Sequence, residues 1–93
     1  MSDVRRVEEL SRYELVLDGE VAGHADYLLQ EGVVVLTHIE TDPNRSGQGL
    51  ASTLTAEVLT DLRTRGLQVV PQCSFAAGYI DKNPQWQDLL AAT

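Results

Sequence analysis

Asn44-Arg45-Ser46-Gly47-Gln48-Gly49-Leu50-Ala51-Ser52 is the stretch of this 93-residue chain with the clearest capacity for chemistry. It lies between an apolar run, Val33 to Ile39, and a segment of helical periodicity that begins at Leu50. Two glycines one residue apart, where a strand hands over to a helix, let backbone N–H groups close round an anion at the helix N-terminus. Arg45 at the mouth of the turn can add a guanidinium. Together these parts make a cradle for phosphate or pyrophosphate. Two common phosphate binders do not fit. Gly47-x-Gly49-x-x-Ser52 has a serine at the third glycine of the dinucleotide fingerprint, and the acidic residue expected about twenty positions on is missing. No Gly-Lys-Ser/Thr follows either, so a nucleoside-triphosphate loop is excluded.

A second group of reactive side chains flanks this turn. His38 and Glu40 are two residues apart in an extended run and therefore share one sheet face. Histidine is the side chain type that titrates nearest neutral pH. Cys73, the only cysteine, closes another apolar run just before a short helical segment. A helix N-terminus there would favour its thiolate, and a small buried apolar residue is the alternative. His24 and Asp26 share a face of an earlier strand and read as a solvated pair.

The elements that must position these groups follow from periodicity. Arg12 to Asp18 alternates apolar and polar residues, as a half-buried strand does. Asp18-Gly19 turns the chain into a second strand, Val21 to Gln30, and Glu31-Gly32 turns it again into Val33 to Ile39. That third run is apolar on both faces and belongs inside a sheet. Leu50, Ala51, Leu54, Val58, Leu59 and Leu62 form one face of an amphipathic helix that Gly66 ends. Leu67 to Cys73 is then a fourth strand, reached by a right-handed crossover and parallel to the third. Ser74 is placed to cap a short helix from Phe75 to Lys82, and Asn83-Pro84 opens a last helix that Trp86 pins to the sheet. Pro71 cannot donate to a ladder, so either it stands at an edge or bulge, or the third and fourth strands part there around a ligand. Residues 1–10 are polar and read as a loose lead-in to one domain spanning 1–93.

Composition narrows the partners. Seven basic against fourteen acidic residues give a net charge of −7, which argues against non-specific nucleic-acid binding and suits a cationic partner such as an amine. No window is apolar enough for a membrane span, and an anionic membrane surface is disfavoured. The N-terminal residues lack the apolar core of a secretion signal, and one cysteine fits a reducing cytosol. No metal site is expected.

Leu36-Thr37-His38-Ile39, Asp42-Pro43, Gly47 to Ser52, Val70 to Phe75, Tyr79-Ile80 and Asn83-Pro84 together resemble the GNAT N-acetyltransferase superfamily, and more narrowly its minimal YjdJ-type branch. The resemblance runs from Tyr13 to Trp86. It implies a mixed α/β fold with a splayed mixed β-sheet and helices on both faces. It also implies acetyl-CoA as co-substrate, with the pyrophosphate on Arg45, Ser46, Gly47, Gln48, Gly49, Leu50, Ala51 and Ser52. The pantetheine arm would pass between the parted strands beside Ile39. Two departures matter. The superfamily's usual Gln or Arg at the start of the turn is Ser46 here, with Arg45 displaced by one residue. The helices that commonly wall the acceptor site are missing, so the acceptor is left open.

Acetyl transfer from a thioester needs a neutral amine, donors for a developing oxyanion and a proton for the departing thiolate. Freed backbone N–H groups of the third strand are candidates for the oxyanion, and His38 and Glu40 for the base. In the resembling branch a histidine and a cysteine stand at His38 and Cys73, which adds Cys73 as a candidate nucleophile. Tyr79 matches the superfamily's tyrosine acid. The reading is an acetyltransferase acting on an unidentified amine; the alternative is a CoA-binding sensor or interaction module without turnover.

Overall fold

The structure, a computed structural model, describes residues 2–45 and 47–91. One five-stranded sheet has the order β1-β2-β3-β4-β5, with β1 Ser2–Val7, β2 Arg12–Leu17, β3 Glu20–Gln30, β4 Val33–Thr41 and β5 Gln68–Pro71. The first four strands are antiparallel neighbours, and β5 runs parallel to β4. Helix α1, Leu50–Thr64, links β4 to β5, and α2, Ser74–Lys82, follows β5. A 3-10 stretch, Pro84–Leu89, then leads to a parallel bridge between Leu90 and Val69. Both hairpin turns form where expected, with left-handed backbone at Asp18-Gly19 and Glu31-Gly32.

The N-terminal residues correct the sequence reading. They are no loose lead-in: β1 pairs with β2 from Ser2 opposite Leu17 to Val7 opposite Arg12. Its polar composition is that of an edge strand whose charges are paired. Arg5 meets Glu14 at 3.4 Å, Arg6 meets Asp61 at 3.3 Å, and Val4 packs on the core.

Alternate positions of the strands point to one core. Tyr13, Leu15, Ala25, Tyr27, Val34, Leu36 and Val69 join Leu54, Val58, Leu59 and Leu62 of α1, Ala76 and Ile80 of α2, and Leu89. Helices on both faces were expected, yet α1 and α2 bury their side chains in this single cluster. The connections explain why. Both crossovers, from β4 to β5 and from β5 to Leu90, step the same way across the sheet, and a right-handed path puts both helices on one side. At the far edge of this core the Tyr13 hydroxyl donates to Asp61 at 2.5 Å. Burial first, and then that bond, push its phenol well above the ordinary tyrosine range.

Two smaller expectations also change. The cap of α2 is Cys73 rather than Ser74, and the last helix is a 3-10 stretch because the Asn83 side chain turns back to donate to the Tyr79 carbonyl at 2.8 Å. Trp86 packs on the core beneath the Arg63 guanidinium, 4.7 Å from its ring centre, which ties this segment to α1.

A bulge in the β3–β4 ladder positions everything that follows. Tyr27 stands opposite Leu36, but Asp26 stands opposite His38, so Thr37 is an extra residue on β4. The alternation inverts there. Val34 and Leu36 point inward before the bulge; Ile39 points inward after it, and His38 and Glu40 turn to the open face.

Candidate functional site

The glycine turn forms the first part of the site. Gly47 and Gly49 both adopt left-handed backbone, φ +84° and +68°, which L side chains rarely hold. Gly49 is the N-cap of α1, and among the described residues no side chain caps the helix. Among the described residues, the N–H groups of its first turn have no side-chain acceptor, as at an unliganded helix start. Thr41, Arg45, Gly47, Gly49, Leu50, Ala51, Ser52 and Phe75 line a cleft of ≈ 280 Å³ over this turn. Gln48 is exposed beside it. Ser46 lies outside the described residues. Arg45 sits at the mouth as expected, but in acidic company, 3.7 Å from Glu20 and 3.6 Å from Asp42.

A second cavity of ≈ 540 Å³ continues from the first along α2, lined by Ser52, Ser74, Phe75, Gly78, Tyr79, Lys82 and Asn83. Ser52 and Phe75 line both. Lys82 adds a cation here, and Phe75 stacks on Tyr79 with ring centres 6.3 Å apart.

Between these cavities and the sheet, β4 and β5 part. They pair only from Val33/Gln68 to Leu36/Pro71, and the Leu36 carbonyl accepts from both Gln72 and Cys73 as the chain swings into α2. Pro71 costs the ladder nothing. Gln72 donates to Leu36, so the ring nitrogen of Pro71 faces the outer edge. Beyond Leu36, β4 runs on alone on that side to Thr41. The Asp42 N–H bonds the Ala22 carbonyl at 2.8 Å, which fixes the phase of the antiparallel ladder. The pairs 24/40 and 26/38 therefore exchange backbone bonds, and Ile39 and Thr41 turn their N–H and C=O groups toward the gap β5 has left. Acceptors for those N–H groups would have to come from whatever enters the gap.

On the open face of the same strand end, His38 and Glu40 come together, Nε2 to Oε2 at 3.9 Å. Both are well exposed. His24, read from the sequence as part of a solvated pair, joins them: its Nε2 is 3.7 Å from Glu40 and 3.7 Å from Asp26. The signal for His24 was partly visible. Counting back from the Gln30/Val33 turn puts His24 opposite Ile39, and only the bulge shifts it to Glu40.

Cys73 is not joined to His38 by any described contact. It is half-buried against the apolar cluster at the N-cap of α2. Tyr79 is half-buried one and a half turns along α2 and borders the larger cavity. The geometry thus gathers the glycine turn, the gap beside Ile39, and Tyr79 along one path, and keeps the His38–Glu40 pair on the other side of β4.

The glycine turn at the start of α1 thus lies beside two parted strands. The chain belongs to the GCN5-related N-acetyltransferase family, whose model matches residues 12–89. Solved structures share the fold. A GCN5-like protein of Staphylococcus aureus, determined by NMR, superposes with a TM-score of 0.73 at 18% identity, over 98% of this chain and 89% of that one. The ribosomal-protein-S18-alanine N-acetyltransferase of Escherichia coli gives 0.64 at 22% identity, over 76% of this chain and 49% of its own. A GNAT family acetyltransferase of Brucella melitensis, in complex with acetyl-CoA, gives 0.57 at 22% identity, over 73% and 50%. This chain therefore spans about half the length of the latter two. No curated protein matches it significantly.

Proposed function

We propose that this chain, a member of the minimal YjdJ-type branch, binds acetyl-CoA and moves its acetyl group to an amine. One observation carries the reading. The uncapped N-terminus of α1 with its two left-handed glycines opens into a cavity along α2, and the β4 backbone at Ile39 faces the same gap. The pyrophosphate would take N–H bonds from residues 49–52, with Arg45 exchanging an acidic partner for phosphate. The pantetheine arm would run past Ser52 and Phe75 toward Ile39.

In the transfer, an amine lone pair attacks the thioester carbonyl, the C–N bond forms and the C–S bond breaks. The Ile39 N–H is the donor for the developing oxyanion. His38 or Glu40 takes the proton from the attacking nitrogen, and Tyr79 returns one to the CoA thiolate. An acidic chain, with Glu20, Glu40 and Asp42 near the strand end, favours an acceptor that carries positive charge. No helix among the described residues is long and apolar enough to cross a membrane.

A second reading, a CoA-binding module without turnover, gains from the position of Cys73, packed on the core and apart from His38. Thiol release from acetyl-CoA with a panel of amines, followed with intact-protein mass, separates the two. Amine-dependent thiol release supports the enzyme, and binding without release supports the module. A 42 Da adduct on the wild-type chain, lost in Cys73→Ala, would assign the cysteine as an acyl carrier. Full turnover in Cys73→Ala leaves it as packing.

A further inference from the structure

We propose that His24, His38 and Glu40 form a binding site for a divalent transition-metal ion on the open sheet face. The site shares His38 and Glu40 with the proposed acetyl transfer, but its geometry stands whether or not that transfer occurs. Its donors come from two neighbouring strands held in register, with His24 directly opposite Glu40 in the β3–β4 ladder and His38 two residues before Glu40. Such a ladder fixes the Cα positions before any ion arrives.

The distances are longer than hydrogen bonds and close to the spacing of donors around one ion. His24 Nε2 and His38 Nε2 lie 3.7 and 3.9 Å from the same oxygen, Glu40 Oε2, and all three donor atoms lie within 4.8 Å of one another. Hydrogen bonds between such groups close at about 2.7–3.2 Å. Donors at about 2.0–2.2 Å from a tetrahedral ion stand roughly 3.3–3.6 Å apart, so two of the three edges need a contraction of only a few tenths of an ångström. Two imidazoles and one carboxylate suit zinc, cobalt, nickel or copper rather than magnesium or calcium. Asp26 Oδ2, 3.7 Å from His24 Nε2, stands by as a fourth donor, while Arg12 holds its other oxygen at 3.3 Å. Glu14, Asp26 and Glu40 outnumber Arg5 and Arg12 on this face, so the local charge accepts a cation. The exposed side chains of His38 and Glu40 leave an approach for the ion and for water on its remaining positions.

The test is calorimetric titration of the full chain with Zn²⁺ alone in a non-chelating buffer, with the histidine ring signals followed by NMR. One equivalent should bind, and the signals of His24 and His38 should move together. His24→Ala and Glu40→Gln should each weaken binding at least about tenfold. His24 is partly buried, so circular dichroism accompanies its variant; the exposed Glu40→Gln keeps the test decisive if His24→Ala unfolds. Absence of saturable binding up to roughly 1 mM, or one-equivalent binding that both variants retain, overturns the site.

Discussion

On one face of the sheet Leu15, Leu36 and Val69 lose all contact with water beneath α1 and α2. On the other, Arg12, His24, Asp26, His38 and Glu40 pair with one another beside solvent. Both faces arise from the same two-residue alternation, and their energetics are opposite. Burying a leucine or valine side chain contributes about 1.5–3 kcal/mol, whereas an exposed ion pair contributes about 0–1 kcal/mol. A chain this small relies on the first face for its stability, and the second is free to hold groups chosen for chemistry. The bulge at Thr37 joins the two. Without it, His38 and Glu40 would share the inward parity of Val34 and Leu36 and sit under α1.

The largest contrast should come from paired truncations. Leu59 of α1 is fully buried, so Leu59→Ala should cost about 2–5 kcal/mol in urea denaturation, through lost transfer energy and the cavity left behind. Glu40→Ala on the other face should stay within about 0.5 kcal/mol of wild type. Equal losses would mean that the charged face carries stability after all.

That contrast also marks what could be read from the residues. The hairpin turns at Asp18-Gly19 and Glu31-Gly32, the apolar stripe of α1 and the parallel β5 are all local or periodic signals, and each formed as expected. The glycine turn was legible because strand, glycines and helix are contiguous. β1 was not, since an edge strand that neutralises its charges against Glu14 and Asp61 carries no apolar run. Nor was the bulge, which depends on how two strands settle rather than on either alone. That one residue decides which face His38 and Glu40 take and whether His24 meets them.

Next in size is the cradle. The space round Gly49 is open, and a Cβ added there has no protein atom within 4 Å. The strain lies in the backbone: a β-branched residue at φ +68° costs about 1–2 kcal/mol, and its side chain stands where phosphate must approach. CoA affinity should fall by about 10–100-fold in calorimetry, while the melting curve stays cooperative. Unchanged affinity would move the binding site away from the turn.

A pH titration examines the core face. The Tyr13 phenol is held neutral by burial and by its bond to Asp61, so its folded value lies above the unfolded value of about 10. The associated stability is fully present below about pH 10 and is lost as pH rises through the folded value. Tyr13→Phe should cost about 1 kcal/mol near neutrality, because Asp61 keeps Arg6 and Arg65, and should flatten the alkaline loss. An alkaline limb that Tyr13→Phe leaves as steep as wild type would assign the loss to other groups.

The smallest effect should come from Arg45, although its charge is the obvious partner for pyrophosphate. In the free protein its guanidinium lies 3.6 Å from Asp42 and 3.7 Å from Glu20, and binding phosphate means giving up part of that attraction. A charged hydrogen bond contributes about 1.5–3 kcal/mol gross, and exchange at a partly exposed site leaves roughly 0.5–1 kcal/mol. Arg45→Ala should therefore weaken CoA only about two- to fivefold, less than Gly49→Val. Glu20→Gln removes one competitor and should tighten binding slightly, most visibly at low salt where screening is weak. The two variants together decide what Arg45 is for. If Arg45→Ala loses as much affinity as Gly49→Val, the guanidinium rather than the backbone holds the pyrophosphate, and it stands in for the residue that Ser46 replaces. If neither variant moves the affinity, Arg45 serves to clamp Asp42 and the end of β4, and the anion rests on the helix N-terminus alone.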